Sequence, residues 1–133
     1  MFQWDDFLKF ASGIHKTPTI PGPVEAAYRS AASRAYYAAF NRALSFAIQM
    51  GYKRSDGRGK HEDLIFYYEG YKSSDKDAKT EDKMSLIGVK LRHALEFRVE
   101  ADYYSRPKTN PQELAYSNIK YSGDILSILD SWR

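Results

Sequence analysis

The chain has 133 residues, 43% of them hydrophobic and 28% charged, which is enough apolar material for the core of a single domain spanning 1–133. It contains no cysteine, which excludes disulfides, thiolate catalysis and cysteine-held zinc or iron–sulfur sites and fits a reducing, cytoplasmic setting. The net charge of +3 is unevenly placed: residues 1–60 carry 9 basic and 4 acidic groups, whereas residues 61–133 carry 11 and 13.

The N-terminal stretch MFQWDDFLKF has two adjacent aspartates and no continuous apolar run, so it does not read as a signal peptide. No stretch approaches the roughly 20 apolar residues that cross a bilayer, and no membrane is expected among the partners. Phe2, Phe7, Phe10 and Ile14 recur at near-helical spacing and predict a short amphipathic helix over 2–13. KTPTIPGP, 16–23, reads as an extended linker, with Pro23 suited to the first turn of the helix that follows.

That second helix is predicted over 24–50, about 40 Å long at 1.5 Å per residue, and closed by Gly51. Tyr28, Ala31, Ala32, Ala35, Tyr36, Ala39, Ala43, Phe46 and Met50 fall on one broad stripe, in which the alanines admit a close helix neighbour. A second, narrower stripe holds Tyr37, Leu44 and Ile48. A helix with two apolar faces is either central in its domain or shared between its own core and a second subunit.

KRSDGRGK, 53–60, has four basic residues and one acidic in a glycine-containing loop: either a solvated cluster or a set of phosphate contacts through Lys53, Arg54, Arg58 and Lys60. A third helix is predicted from His61 to about Tyr71, with Leu64, Ile65 and Tyr68 inward. KSSDKDAKTEDK, 72–83, lacks apolar anchors and reads as a connector. The fourth helix is predicted over about 82–105, with Leu86, Val89, His93, Phe97 and Tyr104 on its inner face. The last opens at Pro111 after the turn KTN, with Leu114, Tyr121, Ile125, Ile128, Leu129 and Trp132 as its core stripe. The sum is an all-α, up-down four-helix bundle with a short extra N-terminal helix.

No Walker loop, HExxH or GxSxG occurs. His15, His61 and His93 lie on different predicted elements, and neither a metal nor a cofactor is expected. His93 reads as a core histidine, and the Tyr103–Tyr104 pair as packing rather than a stacking platform. LEFRVEADYYSRP, 95–107, is the segment with chemical content. Arg98 and Asp102 are four apart and meet on one helix face, as a local ion pair or as part of a phosphate site. Arg98 lies at the border of the apolar stripe, where a partly buried guanidinium needs a carboxylate, a carbonyl or a phosphate.

RSAASRAYYAAFNRA followed about 60 residues later by RVEADY, with Trp4 in the N-terminal helix and a His early in the third, resembles the HEPN family of small helical bundles. The resemblance covers most of the chain. It implies a homodimer with the fourth helices meeting near a shared cleft, and RNA as partner. It also implies metal-independent endoribonuclease activity in toxin–antitoxin or antiviral defence systems, often beside a nucleotidyltransferase. It would give the second stripe of the long helix a partner subunit to cover it.

The family's ribonuclease motif is an Arg, about four to six residues, then a His, and here the sequence departs from it: Arg98 is followed at that spacing by Tyr103 and Tyr104. Arg54 to His61 has the right spacing in the wrong element. Arg98 can supply positive charge to a phosphate. Tyr103, as a phenol with an ordinary pKa near 10, is a poor base at neutral pH, and Asp102 is a base weakened by its arginine neighbour. The candidate catalytic set is therefore Arg98, Asp102 and Tyr103. Arg34, joined by Arg42, would either extend a basic groove along the long helix or serve only surface solvation and ion pairing. The alternatives are a non-catalytic partner of a nucleotidyltransferase or other effector, in which Tyr103 or Tyr104 is the modified residue, and a structural helical domain that serves only to dimerise.

Overall fold

The computed structural model describes residues 4–16, 24–55, 57–73 and 77–132. These form five α-helices: α1 (Asp5–Lys16), α2 (Val24–Gln49), α3 (Lys60–Glu69), α4 (Ala78–Tyr103) and α5 (Pro111–Asp130). No strand occurs among the described residues. Residues 17–23 of the predicted linker, and Phe2 of the first predicted stripe, lie outside them, while Lys16, read as the start of that linker, closes α1.

α2 is the central helix and packs against α1, α4 and α5. Its two apolar faces are thus occupied within the chain to a large extent, although Ile48 (57% exposed) and Met50 (38%) stand outside the core. Alanines 31, 32, 35, 39, 43 and 47 are fully buried, and the absence of longer side chains there lets neighbouring backbones come close. That closeness has a polar signature. Asn118 Nδ2 of α5 donates to the carbonyls of Ala32 (3.2 Å) and Ala94 (3.0 Å), and Ser122 Oγ donates to Ala35 O at 2.6 Å. These buried donors stitch α5 to α2 and α4 one turn before Arg98, while Asn118 Oδ1 is buried without a partner among the described residues. α2 ends where expected: Gly51 takes φ 99°, a left-handed conformation that turns the chain out of the helix.

Two expectations for α4 are corrected. The helix starts at Ala78, not near 82, because the Asp77 carboxylate accepts from Lys79 N (3.1 Å) and Thr80 Oγ1 (2.8 Å). The cap holds a first turn that has no apolar anchor. The inner face is also shifted. Met84, Ile87, Gly88, Leu91, Ala94 and Ala101 are buried, whereas Leu86, Val89 and Tyr104 are 46%, 41% and 40% exposed. The small residues face inward because α3 runs tight against α4: a Cβ on Gly88 would stand 2.6 Å from Glu69 Cγ and 3.0 Å from Glu69 N. His93, expected in the core, is exposed and stacks on Tyr121 with centroids 5.9 Å apart.

Candidate functional site

The last two turns of α4 lie beside the first half of α2, and the side chains between them form a cluster centred on Arg98. The Arg98 side chain is 12% exposed, far from the bulk-solvent orientation of a surface arginine. Its Nη2 donates to Tyr37 Oη at 2.5 Å and reaches Tyr103 Oη at 3.4 Å. Its carbon lies 5.0 Å from the Tyr37 ring centre and 5.2 Å from that of Tyr103, so the cation is flanked by two π faces. Nε stands 2.8 Å from Asp102 Oδ2. The N–H is not aimed along that line, so the contact is an ion pair rather than a directed hydrogen bond. Burial alone would lower the Arg98 pKa, but the oxygens of Tyr37, Asp102 and Tyr103 outweigh it and hold the pKa above the ordinary arginine value. The group is a fixed positive charge.

Asp102 accepts a second contact on the same oxygen, from Ser33 Oγ at 3.1 Å. Ser33, Tyr37 and Asp102 all line an open cleft of about 670 Å³, together with Arg29, Ser30 and Arg34. Arg34 is exposed at this cleft with its guanidinium 5.1 Å from the Phe7 ring centre. Tyr103 is 68% exposed, so the expectation of packing fails for that ring.

The cluster is held by Arg29, which sequence reasoning passed over, and by His61, which it gave no place in the site. Arg29 Nε donates to Ala101 O at 2.6 Å, and its Nη2 donates to Tyr104 O at 2.5 Å and Glu100 O at 3.4 Å. These carbonyls lie at the C-terminal end of α4, where Glu100 O also accepts from Tyr104 N at 3.3 Å, and a cation there complements the helix dipole. The clamp sets the turn that carries Asp102 and Tyr103. Behind Tyr37 sits His61, at the start of α3. Its Nδ1 is 2.6 Å from Tyr36 Oη, and its ring packs against Phe40 and edge-on to Tyr37. Burial, with the positive charges of Arg98 and Lys60, lowers the His61 pKa to about 4, so it is uncharged at neutral pH. Tyr36, fully buried, has its pKa pushed up by desolvation and remains a phenol.

The structure therefore brings Arg98, Asp102, Tyr103 and Arg34 to one end of α2 and α4. Lys53, Arg54, Arg58 and Lys60 do not line that cleft. Their loop is folded around Asp63, which is 2% exposed and accepts from Tyr52 Oη (2.6 Å) and Ser55 N (3.1 Å). Within it Arg54 Nη2 donates to Arg58 O at 2.9 Å, and Arg58 lies 4.4 Å over the Phe66 ring, while all four basic residues stay exposed. Arg42 does not extend the groove: Asp5 (2.5 Å) and Asp130 (2.7 Å) hold it. Among the described residues no group of three or more His, Asp or Glu is placed to hold a metal ion. No described helix is long and apolar enough to cross a membrane.

Fold and site together define a class, an all-helical domain with a part-buried arginine paired to a carboxylate that lines an open cleft. No family model, no curated protein and no solved structure matches the chain.

Proposed function

We propose that the chain is a HEPN-like protein that engages RNA at the Arg98 cleft, acts in a toxin–antitoxin or antiviral defence system in the cytoplasm, and cleaves RNA without a metal through a centre of unusual composition. The observation that carries this is the Arg98 guanidinium, kept charged and nearly buried while bonded to two groups, Tyr37 and Asp102, that open onto a cleft of about 670 Å³. Arg98 does not itself line the cleft but stands behind Tyr37 and Asp102, and a part-desolvated cation there attracts a phosphodiester more strongly than a surface lysine does. Arg34 on the same cleft adds a second contact for the backbone, and the exposed basic loop at 53–60 adds steering charge. The motif resemblance, RSAASRAYYAAFNRA with RVEADY, supports the family, and the exposed Leu86 and Val89 on α4 support pairing of two copies along that helix.

The test uses wild type and Arg98→Ala with a mixed RNA population, with and without chelator. Cleavage by wild type that survives chelator and is lost in the variant supports the proposal. Absence of both binding and cleavage at low salt refutes it. One observation favours a second reading, the non-catalytic partner of a nucleotidyltransferase: the Tyr103 ring is 68% exposed at the end of α4, accessible as a nucleotide acceptor. Intact mass after co-expression with such an enzyme, showing no added nucleotide, removes that reading.

A further inference from the structure

The RNA cleavage proposed above needs a proton donor for the leaving 5′-oxygen, and neither Arg98 nor Asp102 is one. We infer that Tyr37 is that donor. Three observations converge on it. Tyr37 lines the cleft. Its oxygen accepts a hydrogen bond from Arg98 Nη2 at 2.5 Å, which commits a lone pair and leaves the phenol's own hydrogen to point elsewhere. The structure gives that hydrogen no acceptor among the described residues, so it is available to a group in the cleft that Tyr37 lines. Accepting from a guanidinium also polarises the O–H and strengthens it as a donor. The ring cannot swing away. Arg98 covers one face, and Tyr36 and His61 brace it in edge-on contacts at 5.5 and 6.1 Å. His61, uncharged, acts as a positioning residue behind it.

The opposite requirement, a base for the 2′-hydroxyl, falls to Asp102. Both of its contacts, from Arg98 and Ser33, are made by Oδ2, and Oδ1 has no partner among the described residues. In the step, the 2′-oxygen gives its proton to Asp102 as it bonds to phosphorus. The P–O5′ bond breaks, its electron pair goes to the 5′-oxygen, and that oxygen takes the Tyr37 hydrogen. The products are a 2′,3′-cyclic phosphate and a 5′-hydroxyl. Water then carries the proton from Asp102 to the phenolate, and the centre is restored with no net gain or loss.

The inference rests on the RNA reading, and the experiment separates the two. Tyr37→Phe keeps the ring and its packing and removes only the hydroxyl. It is compared with wild type on a single-stranded RNA oligonucleotide, and on the same oligonucleotide with sulfur in place of the bridging 5′-oxygen at the cleaved linkage. A thiolate leaves without being protonated, its acid having a pKa near 8.5. The variant is expected to bind the RNA within about threefold of wild type and to cut the oxygen substrate about 10²-fold or more slowly. On the sulfur substrate it should return to within about threefold of wild type. A misfolded variant would fail on both substrates. Equal rates on the oxygen substrate, an equal deficit on both, or wild-type protein that binds RNA and cuts neither would each overturn Tyr37 as the acid, the last while leaving RNA binding at the cleft intact. Wild type that binds no RNA overturns the broader reading as well.

Discussion

Removal of the Arg29 guanidinium by Arg29→Ala takes the side-chain donor from the carbonyls of Ala101 and Tyr104 at the end of α4, and one of two donors from Glu100, which keeps Tyr104 N. A hydrogen bond from a charged group contributes about 1.5–3 kcal/mol net. The 3.4 Å contact to Glu100 adds little, and water can reach part of the site because the Arg29 side chain is 19% exposed. The expected loss is therefore about 1.5–2.5 kcal/mol for the clamp as a whole, including its interaction with the helix dipole. For a chain of this length that corresponds to a fall in Tm of about 5–12 °C. The loss should be local before it is global. Amide hydrogen exchange at 101–104 should quicken by one to two orders of magnitude, roughly, while the buried turn around Leu91 stays protected until global unfolding. A Tm within about 1 °C of wild type, with unchanged exchange at 101–104, would refute the view that Arg29 sets the turn carrying Asp102 and Tyr103.

Gly88→Ala should destabilise the chain, because the added methyl meets Glu69 Cγ at 2.6 Å and Glu69 N at 3.0 Å; overpacking of about 1–3 kcal/mol outweighs the ~1 kcal/mol helix-propensity gain, and a denaturant melt checks the sign. His61 has its folded pKa lowered to about 4 from an ordinary 6.5. Between those values the unfolded chain binds more protons than the folded one, so this group's contribution to stability is complete above about pH 6.5 and declines as pH falls toward 4. His61→Gln should flatten that part of the Tm–pH curve, and an NMR titration of the imidazole that shows a midpoint near 6.5 would contradict the placement.

Much of the helix layout is legible in the sequence because its punctuation is local. Gly51 closes α2, and Asn110 caps α5 just before Pro111, its Oδ1 accepting from Gln112 N at 2.8 Å. The phase of α4 is not legible in the same way. Leu86 and Val89 are as apolar as the buried Met84, Ile87 and Leu91, so apolar character alone leaves the phase open; the close approach of α3 at Gly88 and of α5 at Ala94 decides it. The site divides likewise. Arg98 and Asp102 are four apart and their ion pair follows from helix geometry. Tyr37 and Ser33 are 61 and 69 positions away from their partners, so only the packing of α2 on α4 reveals them. Tyr37 reads as an apolar-stripe residue because its ring does pack; the oxygen at its tip carries the chemistry.

RNA affinity as a function of salt, measured for wild type and Arg98→Ala by fluorescence anisotropy on a labelled single strand, tests the central claim most directly. Wild type should bind at low salt, with log affinity falling linearly against log salt, and the variant should bind at least about tenfold more weakly with a shallower slope, because one phosphate contact is gone. Equal affinity and equal slope for the two proteins would contradict a phosphate seated at Arg98.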